Sequence, residues 1–324
     1  MDLPEITDHL GRRFTSLRVS LTAACNYACG YCVPNGKRLM ATANELSVDE
    51  LLRAVSWLNK TAGVSKLRIT GGEPLISPKF DGFLAGAMQL GLKEVSLTTN
   101  GQFLYDKRHQ IIDSGIRRLN VSLDTLNPLK FTQIARGGDL ATVQKGIDAM
   151  LEAGLKIKIN MVPLASSNAD EVVTLLDYCL DRGMELRYIE LMRMGHLLHS
   201  PEFSRDFLGM ADILAMIGEK YHFESTTAPY NATAVRYRVP GKGTFGIIPN
   251  ESQPFCSTCT RLRLSSDGYL YGCLSNSRRA GIKELLQQPE ESALPQLHAI
   301  LQSALADKKL SFQGETTVMK FIGG

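Results

Sequence analysis

Glycine recurs in this chain at one kind of place. Gly63, Gly91, Gly115, Gly154 and Gly183 each stand between a stretch of helical apolar periodicity and a short β-like stretch, where a helix ends on a left-handed residue. Such punctuation predicts a repeating strand and helix unit, which folds as a parallel sheet with helical crossovers. The predicted strands are Leu17–Leu21, Lys66–Thr70, Glu94–Thr98, Leu119–Leu123, Lys156–Met161 and Glu185–Leu191. Helices are predicted after Ser47 as N-cap and within 78–90, 140–153 and 169–182. Six repeats across residues 1–200 make an α/β fold, an open, partial TIM-like βα barrel. Beyond residue 200 the rhythm stops. A helical pattern at 203–217, two short strands within 235–248, β-like segments within 251–273 and a helical pattern near 290–308 predict an α+β region, 201–324, packed against the barrel mouth.

The strand faces say more than the strands. Leu17, Val19 and Leu21 alternate with Arg18, Ser20 and Thr22; Leu67 and Ile69 with Lys66, Arg68 and Thr70; Val121 and Leu123 with Asn120, Ser122 and Asp124; Ile157, Ile159 and Met161 with Lys156, Lys158 and Asn160. Helices cover the outside of a βα barrel, so the apolar set faces them and the polar set faces inward. Burying Arg18, Arg68 and Lys158 without a partner is very costly. The lumen is therefore expected to hold a large anionic ligand. The competing reading is an ordinary sheet with one solvated face.

A formal charge of +3 and 7% aromatic residues argue against extensive phosphate contact and base stacking, hence against a nucleic-acid partner. No apolar stretch approaches the roughly 20 residues of a membrane span, and the first residues lack a basic, apolar and small-residue succession. A cytoplasmic protein is expected. Of seven cysteines, three form Cys25-x3-Cys29-x2-Cys32, three are Cys256, Cys259 and Cys273, and Cys179 lies in a helical apolar pattern as a buried small hydrophobe. In a reducing compartment such triplets read as metal ligands. Structural zinc usually takes four protein ligands, whereas an iron–sulfur cube held by three cysteines keeps one iron open.

The first triplet directly follows the first strand, at the end of the barrel where active sites lie. Gly71-Gly72-Glu73-Pro74 is placed identically after the second strand; its glycines let backbone approach a ligand and Pro74 can begin a helix. The second triplet has two residues between Cys256 and Cys259 and thirteen between Cys259 and Cys273, a spacing that also suits zinc with Cys179 or a histidine as fourth ligand. Arg261 and Arg263 alternate with leucines just after Cys259, and such a pair suits phosphate or carboxylate.

The Cys25, Cys29 and Cys32 spacing, with aromatic Tyr31 before the last cysteine, resembles the signature of the radical S-adenosylmethionine superfamily, and Gly71-Gly72-Glu73-Pro74 resembles its methionine-binding motif. The second triplet, the Arg-Leu-Arg after it and the terminal Gly323-Gly324 resemble the GTP 3′,8-cyclase family of molybdenum-cofactor biosynthesis. The resemblance implies two [4Fe-4S] clusters, one on Cys25, Cys29 and Cys32, the other on Cys256, Cys259 and Cys273. It implies S-adenosylmethionine contacts at Tyr31, Gly72, Ser122 and Met192, and GTP contacts at Arg18, Arg68, Thr98, Lys158, Arg261 and Arg263, with Lys66 and Arg187 in similar basic positions.

The implied chemistry is reductive cleavage of S-adenosylmethionine to a 5′-deoxyadenosyl radical, hydrogen removal from C3′ of GTP and closure onto guanine C8. The product is (8S)-3′,8-cyclo-7,8-dihydroguanosine 5′-triphosphate, with Arg261 and Arg263 acting beside the second cluster. A reduced electron donor and the next enzyme of molybdenum-cofactor synthesis are the implied partners, the Gly-Gly tail could reach the site, and a homodimer stays open. Two rivals stand beside this reading: a diverged radical enzyme acting on another nucleotide or a peptide, and a zinc-stabilised nucleic-acid-binding protein. The departures from the family pattern, Thr22-Ala23-Ala24 before the first cysteine and Val33-Pro34 after the third, supply no ligand.

Overall fold

The structure is a computed structural model that describes residues 4–228, 231–312, 314 and 315. Six parallel strands form its centre: β1 Ser16–Ser20, β2 Lys66–Thr70, β3 Glu94–Thr99, β4 Arg118–Ser122, β5 Lys156–Met161 and β6 Glu185–Ile189. The helices between them are α1 Val48–Ala62, α2 Phe80–Met88, α3 Arg108–Asp113, α4 Pro128–Ala135, α5 Leu140–Glu152 and α6 Val172–Asp181. All five punctuating glycines have positive φ, between 66° and 80°. The first repeat shows how local chemistry sets the unit. Ser47 and Glu50 close a reciprocal capping box at the start of α1, Gly63 turns its end through φ 66°, and Leu51, Val55 and Leu58 are buried against the sheet. Such a cap is worth about 1 kcal/mol.

The chain after residue 200 does more than cover the barrel mouth. It contributes helices α7 Pro201–Asp206 and α8 Met210–Gly218, strands β7 Glu224–Thr226, β8 Val235–Val239, β9 Gly243–Ile248, β10 Arg261–Leu264, β11 Tyr269–Tyr271 and β12 Ala280–Gly281, and helix α9 Glu290–Ala306. β10 pairs in parallel with β1 and β9 in parallel with β6, so both edges of the six-stranded core are extended into one twelve-stranded sheet. Among the described residues the outermost strands, β12 and β7, do not pair with each other, and the barrel stays open.

The single helical pattern read at 203–217 is two helices, because Phe207 takes an extended conformation that ends α7 and Gly209 caps α8. Helices α3 and α4 were absent from the sequence reading. Asn127 and Pro128 signal the second: the Asn127 side chain accepts from the N–H groups of Leu129 and Lys130, and Pro128 occupies the first turn. Leu17, Val19, Leu67, Ile69, Val121 and Ile159 are buried beneath the helices, and their polar neighbours face the lumen as the alternation requires. Among the described residues no helix is long and apolar enough to cross a membrane.

Candidate active site

Loops at the C-terminal ends of the strands enclose an upper chamber of about 240 Å³, lined by Cys25, Cys29, Cys32, Tyr31, Gly71, Gly72, Glu73, Thr98, Ser122 and Met192. The cysteine loop is a tight turn in which the N–H groups of Cys32 and Val33 both donate to the Cys29 carbonyl, at 2.9 and 3.0 Å. Its base is clamped by the next loop: Gly72 N donates to Thr22 O and Glu73 N to Ala24 O, each at 2.8 Å. A Cβ on Gly72 would sit 2.2 Å from Ala24 O, and one on Gly71 2.7 Å from Thr22 O. The glycines are therefore demanded by backbone packed on backbone, a constraint that the sequence reading had attributed to a ligand.

Glu73 is buried and is a strut. Its carboxylate accepts from Leu75 N at 3.0 Å, Thr99 Oγ1 at 2.7 Å and Asn100 N at 2.7 Å. Burial pushes it up to about 7 against those bonds. Pro74 is buried outside the chamber lining, where it begins a short 3-10 turn. Tyr31 donates its hydroxyl to Asp124 at 2.8 Å, and Asp124 accepts from Val162 N at 2.8 Å, so the cysteine loop is tied to the loops after β4 and β5. Burial raises Asp124 to about 6.

Glu190, fully buried after β6, accepts from the N–H groups of Met210, Glu251 and Ser252 at 2.8 to 2.9 Å, anchoring the chain that leads to the second triplet. Asn100, Asp124 and Glu190 were missed as site residues. Asp124 falls on the inward polar face, and for Asn100 and Glu190 the signal was position, just after a strand.

Below lies the basic part. Arg18, Arg68, Arg187, Arg261 and Arg263 line a middle cavity with Thr98 and Met192. A lower one of about 280 Å³ is lined by Arg18, Lys66, Arg68, Lys158, Arg187 and Arg261, together with Arg118 and Arg236. Thr98 and Met192 also line the upper chamber, and Arg18, Arg68, Arg187 and Arg261 also line the lower, so the three are one continuous lumen.

Register explains the clustering. Arg18 sits beside Arg68 on β2 and Arg263 on β10. Burial, reinforced by their neighbours, holds Arg18 well below the usual guanidinium range, Arg68 at about 10 and Arg263 at about 9. Packing cations this tightly disfavours their charge and favours an anion among them. The Thr98 hydroxyl is buried with no partner among the described residues, a polar group available to a ligand. The acids here are few: Glu94 pairs with Arg118 at 2.8 Å, and Glu185 pairs with Lys158, Arg187 and Arg236.

The second triplet faces a separate hollow lined by Cys256, Cys259, Cys273, Arg12, Arg261 and Lys308, among others. Among the described residues no histidine lines it, and Cys179 is a buried core residue of α6, so neither supplies the fourth ligand that zinc would want. Lys308 donates to Cys259 Sγ at 3.2 Å and to Arg261 O at 2.9 Å, while Arg12 donates to Cys256 O at 3.0 Å. Burial would push the Cys259 thiol up, yet Arg261 and Lys308 outweigh it and bring the group to about 5. Arg12 and Lys308 come from the two ends of the chain, and nothing in the sequence marked them. Gly323-Gly324 lies outside the described residues.

Residues 19–179 match the radical SAM superfamily and residues 184–313 the molybdenum cofactor synthesis C family. GTP 3′,8-cyclase 1 of Pseudomonas aeruginosa is 36% identical over 322 residues, 97% of each chain. The chain belongs to the GTP 3′,8-cyclase family. The GTP 3′,8-cyclases of Rhizobium leguminosarum bv. trifolii and Campylobacter fetus are each 36% identical, covering 95% and 94% of this chain and 88% and 92% of their own. Streptococcus suis SuiB bound to precursor peptide SuiA shares the fold, with TM-score 0.64 at 15% identity over 90% of this chain and 67% of that one.

Family membership brings S-adenosylmethionine and [4Fe-4S] clusters, and the donor sets fit them. Each triplet offers three thiols and no fourth cysteine, the set that leaves one iron of a cube open. In the first, burial pushes Cys25 up to about 12 and Cys29 well above its ordinary value, so a thiolate form there would depend on a bound iron.

Proposed function

We infer that this chain is a GTP 3′,8-cyclase, carrying out the radical S-adenosylmethionine step that opens molybdenum-cofactor synthesis. One observation supports this reading beyond kinship: a single lumen runs from the first cysteine triplet past Thr98 and Met192 to a basic end where Arg18, Arg68, Lys158 and Arg187 gather. A nucleoside triphosphate placed with its phosphates among the cations has its sugar directed toward the upper chamber. A peptide substrate has no need of such a basic lumen.

Cys25, Cys29 and Cys32 would hold the first cluster and Cys256, Cys259 and Cys273 the second. Tyr31, Gly71, Gly72, Ser122 and Met192 line the place for S-adenosylmethionine, while Glu73 holds the cysteine loop in place from beneath. When bound, the first cluster and S-adenosylmethionine supply a carbon radical that abstracts hydrogen. The chain's own part is to orient and to screen. Arg18, Lys66, Arg68, Lys158, Arg187, Arg261 and Arg263 offset the triphosphate charge, and the enclosed lumen excludes water from the reacting sugar. Residues 1–200 supply the radical and 201–324 present the base. A reduced electron donor in the cytoplasm and an enzyme that accepts the cyclised product complete the reading.

The test is anaerobic purification with iron and sulfide assays, then incubation with reductant, S-adenosylmethionine and GTP. Two clusters per chain, 5′-deoxyadenosine and the cyclised nucleotide are expected. Clusters that cleave S-adenosylmethionine while GTP stays intact refute the substrate; zinc without sulfide refutes the chemistry.

A further inference from the structure

Glu185 is a carboxylate shared by three cations that line the basic lumen. Its side chain is only 10% exposed, and it accepts from Lys158 Nζ, Arg187 Nε and Arg236 Nη2, each at 2.8 Å. Neither Glu185 nor Arg236 is among the residues that the family resemblance implies. Lys158 stands next to Glu185 in register and Arg187 follows two residues along the same strand face. Arg236 is different, because it lies on β8 and must reach across β9 to meet a residue on β6.

The crossing is open because β9 carries Gly246 there. Gly246 is in register with Arg187 on one side and Arg236 on the other. A Cβ at this position would come within 3.1 Å of Ala234 Cβ and 3.9 Å of Arg187 Cγ. A side chain there would stand between Arg187 and Arg236, its register partners on the same face of the sheet. Once across, Arg236 spends one nitrogen on Glu185, while its Nε is buried with no partner among the described residues. A buried donor left over beside a basic cavity is a donor for an anion.

We propose that Glu185 is a positioning residue and Arg236 a further substrate-binding residue. The carboxylate collects Lys158, Arg187 and Arg236 into one three-cation clamp at the end of the lumen far from the first cysteine triplet, and the clamp reads the outermost phosphate of the nucleotide. This deepens the nucleotide reading and rests on it. Glu185 uses Oε1 for Lys158 and Arg187 and Oε2 for Arg236, so the cations are held together before substrate arrives. A triphosphate reaches the clamp through its terminal group. A diphosphate ends short of it and forgoes those contacts.

The experiment is anaerobic calorimetric titration of the reconstituted protein with GTP, GDP and inorganic tripolyphosphate, with melting and cluster absorbance as fold controls. Arg236→Gln is expected to weaken GTP and tripolyphosphate by roughly 10- to 100-fold, as loss of charge-assisted bonds does, while GDP changes little and the ratio of GTP to GDP affinity collapses. In turnover, KM for GTP rises and kcat at saturation is largely kept. Gly246→Val, which alters no charge, blocks the crossing and should lower the same ratio; Glu185→Gln should lower it by releasing the three cations.

Equal weakening of GTP and GDP by Arg236→Gln, or wild-type discrimination in both Arg236→Gln and Gly246→Val, overturns the proposal. The two readings fail separately. A wild type that binds tripolyphosphate but not GTP refutes the nucleotide and keeps the clamp, whereas a wild type that binds GTP with Arg236→Gln discriminating normally refutes the clamp alone.

Discussion

The two cysteine triplets have the same number of thiols and opposite surroundings. Around Cys25, Cys29 and Cys32 the charged neighbours that act on the thiols are acids, Glu73 and Asp124. Around Cys256, Cys259 and Cys273 they are the cations Arg261 and Lys308. An acidic enclosure favours a cationic ligand such as a sulfonium, and a basic one favours an anion. On the proposed reading the chain would keep two ligands of opposite charge apart by what it packs behind each triplet.

The largest effect expected from this division comes from removing one thiol on each side. Cys25→Ser should bring 5′-deoxyadenosine release to background, with or without GTP. Cys256→Ser should keep uncoupled release while cyclised nucleotide disappears. Quantifying both products anaerobically for the two variants checks it, and the division of labour is broken if Cys256→Ser loses cleavage as completely as Cys25→Ser.

A smaller effect sharpens the description of the acidic side. Gly72→Ala places a carbon 2.2 Å from the Ala24 carbonyl oxygen, and neither backbone has a flexible end to move aside. A cost of about 3 kcal/mol is expected, read as a lower melting midpoint and as poor retention of the first cluster, while Cys256, Cys259 and Cys273 keep theirs. Gly91→Ala is the control for lost glycine: it carries a left-handed φ of 66° but has open space around it, so only backbone strain of about 1 kcal/mol applies. Equal loss in the two variants would mean that close packing under the cysteine loop is unimportant.

How much of this was legible in the sequence follows from the range of the interaction involved. The βα repeat was legible because each unit is closed locally, by Ser47 with Glu50 at one end of a helix and by Gly63 at the other. The inward cations were legible because side-chain direction alternates with a period of two, and Arg18, Arg68 and Lys158 do share one lumen, with Arg187 beside them. Glu185 could have been found by the same alternation, since it precedes Arg187 by two residues.

Lys308 and Arg12 had no such signal. They reach the second triplet through tertiary packing of segments 49 and 244 residues distant from the cysteines they contact. The twelve-stranded sheet was illegible for a similar reason: pairing β9 with β6 and β10 with β1 is decided by contacts across the whole chain.

The smallest expected effect concerns the basic end and is read from pH. Burial brings Lys158 down to about 8, Arg187 and Arg118 push it the same way, and Glu185 opposes them. The amine is therefore mostly charged below pH 8 and loses its proton as pH rises through that value. A bound triphosphate favours the charged form, so GTP binding should take up a proton at and above pH 8, and affinity should fall there by at most about tenfold per unit. The free protein moves the other way. Its folded-state value lies below the ordinary 10.5, so between about 8 and 10.5 the unfolded chain holds more protons and this group's contribution to stability rises with pH. Titration calorimetry in buffers of different ionisation enthalpy measures the proton uptake, and Lys158→Met, which has no ionisable group, should abolish it. Wild-type proton uptake identical to that of Lys158→Met would remove Lys158 from the phosphate end of the lumen and leave Arg18 and Arg68, in the same lumen, to neutralise the substrate.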